Sequence, residues 1–146
     1  MDWLREYELS ESQIRSVVAG MRKMSAIDGV EDPQEQELIN VLLDGLVGEC
    51  KLDFTQFPEP QSQDAFLRLV TFVAIVDTSI NDAECALIQD YIDALGSSET
   101  VQGLIDYVGG QFLNQVFADS NVMRVWLPKL QKDLRLSDEA VQILLG

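Results

Sequence analysis

Apolar residues recur at intervals of three and four along most of the chain, which is the period of an amphipathic α-helix rather than of a β-strand. A first series predicts a helix over about residues 11 to 27, with Ser10 or Ser12 as its N-terminal cap. A second predicted helix runs over residues 32 to 48 and starts with the Asp-Pro-Gln-Glu pattern typical of a capped helix. The chain therefore begins with a predicted helix pair.

The middle of the chain contains a segment without helical period, followed by the most apolar stretch. Residues 49 to 61 carry two prolines among polar residues, and we expect a connecting loop held in place by Phe54 and Phe57. Residues 62 to 76 are apolar on nearly every side, which is typical of a fully buried helix. We expect this third helix to be the central element of the fold.

The remaining chain predicts further helices and no convincing pair of strands. Asn81 starts a fourth helix that ends at Gly96, and Gly109-Gly110 is expected to break or kink the helix that follows. Ser137 is the expected cap of a last short helix. The sequence thus predicts an all-α fold, a single compact domain of about six to eight helices.

One pattern of acidic and apolar residues occurs twice in the chain, 49 residues apart. Each copy has Asp, six residues, Glu, two residues and then Leu-Ile. The first copy is Asp28, Glu35, Leu38 and Ile39, and the second is Asp77, Glu84, Leu87 and Ile88. The repeat predicts pseudo-two-fold helix pairs over residues 12–48 and 62–96, with additional helices in 98–146, within one domain of residues 1–146.

The positions of the four repeated acids suggest a cation site. Asp28 and Asp77 extend the apolar faces of their helices, and Glu35 and Glu84 precede apolar pairs by three and four residues, so all four are expected to lean inward. An Asp in the last turn of a helix is opposed by the helix dipole, so we expect either a bound cation or local hydrogen bonds to compensate. Oxygen ligands favour calcium, magnesium or manganese.

A second explanation of the same acids needs no metal. Glu35 and Glu84 stand at the third position of their helices, where a glutamate completes a capping box, and Asp28 precedes a glycine as turn-forming residues often do. Both explanations remain open on the sequence alone.

Composition excludes several kinds of chemistry. The chain has 25 acidic residues against 10 basic ones, for a net charge of −15, and no base occurs between Arg68 and Arg124, so no nucleic-acid binding is expected. The absence of histidine excludes a Ser-His-Asp triad, a Cys-His pair and a histidine-ligated metal site.

Other features concern cellular location and packing. No segment is apolar and long enough to span a membrane, and the N-terminal residues lack an export signal, so we expect a cytoplasmic protein. Cys50 and Cys85 fit no paired motif and are expected to be buried or half-buried thiols. Trp3, Tyr7 and Trp126 are expected to be packing anchors.

At the repeated acids the chain resembles the tellurite-resistance TerB-like family of bacterial proteins. The matching segments are Ser25-Ala26-Ile27-Asp28-Gly29-Val30 through Glu35 to Ile39, and Ala74-Ile75-Val76-Asp77 through Ile80 to Glu84 and Leu87-Ile88. The resemblance covers about residues 12 to 96. It implies an all-helical domain whose acids, here Asp28, Glu35, Asp77 and Glu84, form a metal or ion site. Thr78 stands where the family pattern has an Asp-Gly turn, and it is not expected to adopt a left-handed conformation.

Three functions follow from these features, in decreasing order of support. The first is a non-enzymatic TerB-like domain that binds a divalent cation, a partner protein or both, in the stress-response or tellurite-resistance setting that the resemblance implies. The second is a helical interaction module whose acids are structural and whose partner is basic or an amphipathic helix. The third is a hydrolase that depends on carboxylates or a metal. The sequence does not indicate an oligomeric state.

Overall fold

The structure is a computed structural model, and it describes residues 8–27, 33, 37, 40, 49–76, 78–117 and 119–145. These residues form six α-helices, one short 3-10 turn and no strand, so the predicted all-α fold is confirmed. The helices are α1 (Glu11–Ala26), α2 (Pro60–Ile75), α3 (Asp82–Leu95), α4 (Val101–Val116), α5 (Ser120–Leu134) and α6 (Asp138–Leu145).

Helix α1 starts with the cap expected from the sequence. The Ser10 hydroxyl accepts a hydrogen bond from the Gln13 backbone N–H, and the Gln13 side chain accepts one from the Ser10 N–H, which completes a capping box. The Gln13 side-chain amide also donates to the carbonyl of Gln56, at 2.9 Å. The cap of α1 therefore also fixes the loop that follows residue 49.

That loop is held by aromatic side chains, as predicted. It contains the 3-10 turn Phe54–Gln56, and Phe54 and Phe57 pack edge-on against Phe66 of α2, with ring centroids 5.7 and 5.1 Å apart. Tyr91 of α3 packs edge-on against the same ring, with the centroids 5.2 Å apart. One aromatic cluster thus joins the loop to two helices.

Helix α2 is the central element, as its composition predicts. Every residue from Phe72 to Ile75 is buried, and α2 packs against α1, α3 and α4. Gly20 permits the close approach of α1, because a Cβ atom there would lie 2.8 Å from the ring of Phe66. The Tyr91 hydroxyl donates to the Gly20 carbonyl at 3.0 Å, which ties α3 to the same crossing.

The predicted break at Gly109-Gly110 is wrong. Helix α4 continues without interruption through Gly109 and Gly110. The absence of a side chain at Gly109 is explained by packing. A Cβ atom at Gly109 would lie 2.8 Å from Leu136 Cδ2, whereas one at Gly110 would meet nothing within 4 Å. Pro128 likewise lies within the continuous helix α5.

The last three helices are joined by a compact corner. Arg135 ends α5 in a left-handed conformation, with φ 59° and ψ 38°, and Leu136 is buried. Ser137 then caps α6 as predicted, accepting from the Ala140 N–H at 3.1 Å. Its own hydroxyl donates to the Asp106 carboxylate of α4 at 2.6 Å. The corner therefore fixes α6 against α4.

The predicted internal repeat of helix pairs stays a prediction. Its first copy depends on the helix expected over residues 32–48, of which Pro33, Glu37 and Asn40 are described and helical, while the others lie outside the described residues. Trp3 and Tyr7 also lie outside them. Within the described ranges no helix is both long and apolar enough to cross a membrane.

Candidate functional site

Only one of the four acids predicted to bind a metal is described. Asp28, Glu35 and Asp77 lie outside the described residues, and Glu84 lies in the first turn of α3. In the part of the chain that the structure describes, no three His, Cys, Asp or Glu residues lie close enough together to hold a metal ion. The four-carboxylate site remains a prediction.

Glu84 completes the capping box that the alternative explanation requires. Its side chain accepts a hydrogen bond from the Asn81 backbone N–H at 3.1 Å, and the Asn81 side chain accepts from the Glu84 N–H at 2.8 Å. Glu84 is only 5% exposed. A carboxylate is rarely buried to this extent without compensating interactions, and the cap supplies one of them.

The turn before this cap corrects the expectation for Thr78. Thr78 has a φ of 71°, in the left-handed region that the sequence argument had excluded for a β-branched residue. Its N–H donates to the Ile75 carbonyl at 2.9 Å, and the following Ile80 N–H donates to the Asp133 carbonyl of α5 at 3.0 Å. We attribute the conformation to these two bonds together with the burial of Ile80, because they hold the turn from both sides.

A charged pair lies at the outer side of the same helix start. Arg135 donates to the Asp82 carboxylate at 2.7 Å, and the same nitrogen lies 3.8 Å from the Cys85 sulfur. The Asp82 side chain is 94% exposed, so solvent screens this ion pair strongly. The pair joins the end of α5 to the start of α3 without enclosing a ligand site.

The two cysteines are free and half-buried, as predicted. Burial raises the pKa of the Cys85 thiol, and the negative charges of Glu84 and Asp82 raise it further, while Arg135 lowers it. The thiol of Cys85 is therefore protonated at neutral pH. This environment does not activate a nucleophilic cysteine, which requires a lowered pKa.

Helix α5 carries apolar residues on two faces, and only one of them is buried. Its core face consists of Met123, Leu127, Leu130 and Leu134, all of which are buried. A second surface of the helix, which we call the α5 stripe, consists of Val122, Val125, Trp126 and Lys129, spaced at i, i+3, i+4 and i+7. The exposed fractions are 46% for Val122, 77% for Val125 and 52% for Trp126.

The prediction that Trp126 is a packing anchor is wrong, because this side chain is 52% exposed. The sequence contains a signal for this exposure, since two apolar series run along the same helix and a surface helix of a small domain buries one face. Lys129 and Lys132 are exposed on the same side as the apolar stripe. The apolar side chains of the stripe are therefore followed by the two lysines and by Asp133, a half-buried acid seven residues after Trp126.

A groove between α4 and α6 combines apolar walls with acidic groups. We call it the α4–α6 groove; it has a volume of about 380 Å³ and is lined by Gly103, Asp106, Tyr107, Gly110, Gln111, Asn114, Glu139, Ala140, Ile143 and Leu144. Ile143 is 80% exposed and Tyr107 is 37% exposed. Arg68 of α2 stacks on the Tyr107 ring, 3.9 Å from its centroid. The described lining includes two carboxylates and no basic side chain.

A larger groove, of about 590 Å³, lies between the starts of α1 and α2. Polar side chains dominate its lining, among them Gln13, Gln56 and Ser62, and its charged groups are Glu8 and Glu59. Gln13 and Gln56 already bond within the fold, so this groove offers less for recognition than the α4–α6 groove.

Comparison of the chain with protein-family models, characterised proteins and solved structures gives no match in any of the three.

Proposed function

We propose that this chain is a non-enzymatic, TerB-like helical domain that acts by binding a partner protein through the α5 stripe. The bacterial setting of this proposal and its link to stress or tellurite resistance come from the sequence resemblance alone, and the cytoplasmic location is the expectation drawn above from the sequence. The observation that carries the binding role is the exposure of Val122, Val125 and Trp126 on a helix whose core face is already filled. Contiguous exposed apolar side chains of this kind are typical of interaction surfaces.

The residue types of the stripe support a role in binding a partner. Tryptophan is among the residues that contribute most to binding energy in protein interfaces. The three apolar residues of the stripe are spaced by one helical turn, which matches recognition of an extended or helical segment. Replacing them would not disturb the buried series Met123, Leu127, Leu130 and Leu134.

The experiment is a photo-crosslink from one position of the stripe. A photoreactive residue replaces Val125 in the full chain, and its matched control replaces Lys23, which is exposed on α1. We expect a discrete crosslinked protein from position 125, absent from position 23 and lost when Trp126→Ala is added. Equal crosslinking from both positions, or none from position 125, would contradict the proposal.

A second candidate function is binding of calcium, magnesium or manganese by Asp28, Glu35, Asp77 and Glu84. The burial of the Glu84 carboxylate supports it, because a buried charge favours a bound cation or strong hydrogen bonds. Glu84→Gln is an informative variant, since glutamine keeps a side-chain acceptor for the Asn81 N–H but removes the charge.

Thermal unfolding with each ion tests this candidate. If a cation binds, it raises the melting temperature of the wild type, and Glu84→Gln, Asp28→Asn and Asp77→Asn each reduce that rise. If Glu84 serves only as a cap, Glu84→Gln melts close to the wild type, and millimolar ion changes neither protein.

A further inference from the structure

The α5 stripe and the α4–α6 groove both combine apolar residues with charge, and the charges have opposite sign. The stripe offers apolar side chains followed by Lys129, whereas the groove offers Tyr107, Ile143 and the exposed carboxylate of Glu139. The carboxylate of Asp106, which also lines the groove, accepts hydrogen bonds from Ser137 and Gln102 within the fold. Both surfaces belong to every copy of the chain. We infer that the partner of the α5 stripe is a second copy of this chain, whose α4–α6 groove receives it; this inference rests on the proposed function.

The spacing of charged and apolar groups agrees on the two sides. Lys129 lies three residues after Trp126 on α5, about 4.5 Å along the helix axis. In the groove, Glu139 lies four residues before Ile143, about 6 Å along α6. An indole placed against Ile143 therefore leaves the Lys129 ammonium, on its flexible stem, within reach of Glu139.

Gly110 provides the space for a large side chain. A Cβ atom at this position would meet nothing within 4 Å, so the groove is open above the helix backbone there. The exposed Ile143 and the Tyr107 ring stand on the same lining. An aromatic side chain of a neighbouring copy would thus contact Tyr107 and Ile143, and apolar burial is the main driving force of association.

The net charge of −15 repels a second copy and an anionic bilayer alike, so it selects neither partner. What favours a second copy is the local pairing of Lys129 with the exposed Glu139, on a surface that also offers apolar side chains to the stripe. Two stripes facing each other would place lysines against lysines. Stripe into groove is the arrangement that pairs Lys129 with an acid.

The contact joins two different surfaces, so two arrangements satisfy it. Two copies that each place their stripe in the other's groove form a closed dimer, whereas a copy that leaves its groove free for the next one generates rings or open chains. The surfaces are small, so the affinity is expected to be weak and association to depend on concentration.

The test uses sedimentation velocity on the full-length chain with two single-site variants. Trp126→Ala removes the main apolar group of the stripe, and Gly110→Arg fills the groove at a position where a side chain has space. The wild type is expected to form dimers and larger species as its concentration rises. Each variant alone stays monomeric, while an equimolar mixture forms a one-to-one dimer and nothing larger, since one intact stripe and one intact groove remain.

Charge-reversal variants provide an independent test of the contact. Lys129→Glu weakens association of the wild type at least several-fold, and adding Glu139→Lys to the same chain restores it. Lys23→Glu makes the same charge change on exposed α1 and leaves association unchanged. Circular dichroism of each variant verifies that the helices are intact.

Several outcomes would overturn the inference. The inference is wrong if the wild type stays monomeric at all concentrations. It is also wrong if the mixture of the two variants forms no dimer. Association that survives Gly110→Arg indicates stripe-to-stripe contact, and binding to anionic vesicles without self-association indicates a lipid surface. If the wild type is monomeric but position 125 crosslinks to a different protein, the proposed function stands and the self-recognition falls.

Discussion

Thr78 holds a backbone conformation that L-residues with a branched Cβ seldom adopt, with φ at 71°. Thr78→Gly removes the steric cause of strain, whereas Thr78→Ala removes the outer side-chain atoms and keeps the Cβ. We expect the glycine variant to have a free energy of unfolding about 1 kcal/mol higher than the alanine variant, measured by urea denaturation. Equal stability of the two variants would show that the turn leaves the left-handed region without cost.

Tyr91 predicts a pH dependence of stability. Burial raises the pKa of the Tyr91 hydroxyl above its ordinary value of 10, and the charge of Asp90 adds to the effect. Since the folded pKa is the higher one, this contribution to stability is fully present below about pH 10 and is lost as the pH rises above it. Tyr91→Phe removes that contribution, so its unfolding free energy should fall less between about pH 8 and about pH 11 than that of the wild type.

The control for this titration is Tyr107→Phe, because Tyr107 is 37% exposed and its ring lies under Arg68. At pH 8 we expect Tyr91→Phe to cost about 1 kcal/mol through loss of the bond to the Gly20 carbonyl. A pH slope of Tyr91→Phe equal to that of the wild type would argue against burial of a neutral hydroxyl at this crossing.

At the level of helices, the two adjacent glycines of α4 form a matched pair. Gly110→Ala adds a methyl group in open space and should raise the free energy of unfolding by about 0.5 to 1 kcal/mol, because alanine is the better helix former. Gly109→Ala places the same group 2.8 Å from the buried Leu136, so the gain should be cancelled or reversed. Equal stabilisation by both changes, in parallel denaturation curves, would show that Leu136 shifts freely.

The sequence predicts helix type and helix starts well, because those depend on neighbouring residues. Ser10 and Asn81 cap α1 and α3 through atoms three residues away, and the buried run of α2 is visible from composition alone. The role of Gly109 cannot be predicted in the same way, because it depends on Leu136, which is distant in the chain. The α4–α6 groove is hidden for the same reason: its acids and its apolar walls come from two helices that meet only in the fold.

For the whole molecule, the distribution of charge matters more than its sum. Three of the ten basic residues, Arg124, Lys129 and Lys132, lie on α5, whereas the net charge of the chain is −15. Arg124 donates to the Leu145 carbonyl and so serves the contact between α5 and α6, which leaves the two lysines exposed at the stripe. The rest of the molecule therefore carries almost all of the repulsive acidic charge.

This separation predicts two effects of salt. Raising the ionic strength from about 10 mM to about 0.5 M shortens the screening length several-fold and weakens repulsion among the acids, so the folded state should become more stable. Thermal unfolding of the Gly110→Arg variant measures this effect. In association, salt weakens the repulsion between two copies of charge −15 as well as the attraction between Lys129 and Glu139, so the attraction is measured as a difference between variants of equal net charge. Lys129→Glu and Lys23→Glu form such a pair, and the gap in association between them, measured by sedimentation, should shrink as the ionic strength rises. A gap that does not change with salt would mean that apolar contact, rather than charge, selects the partner.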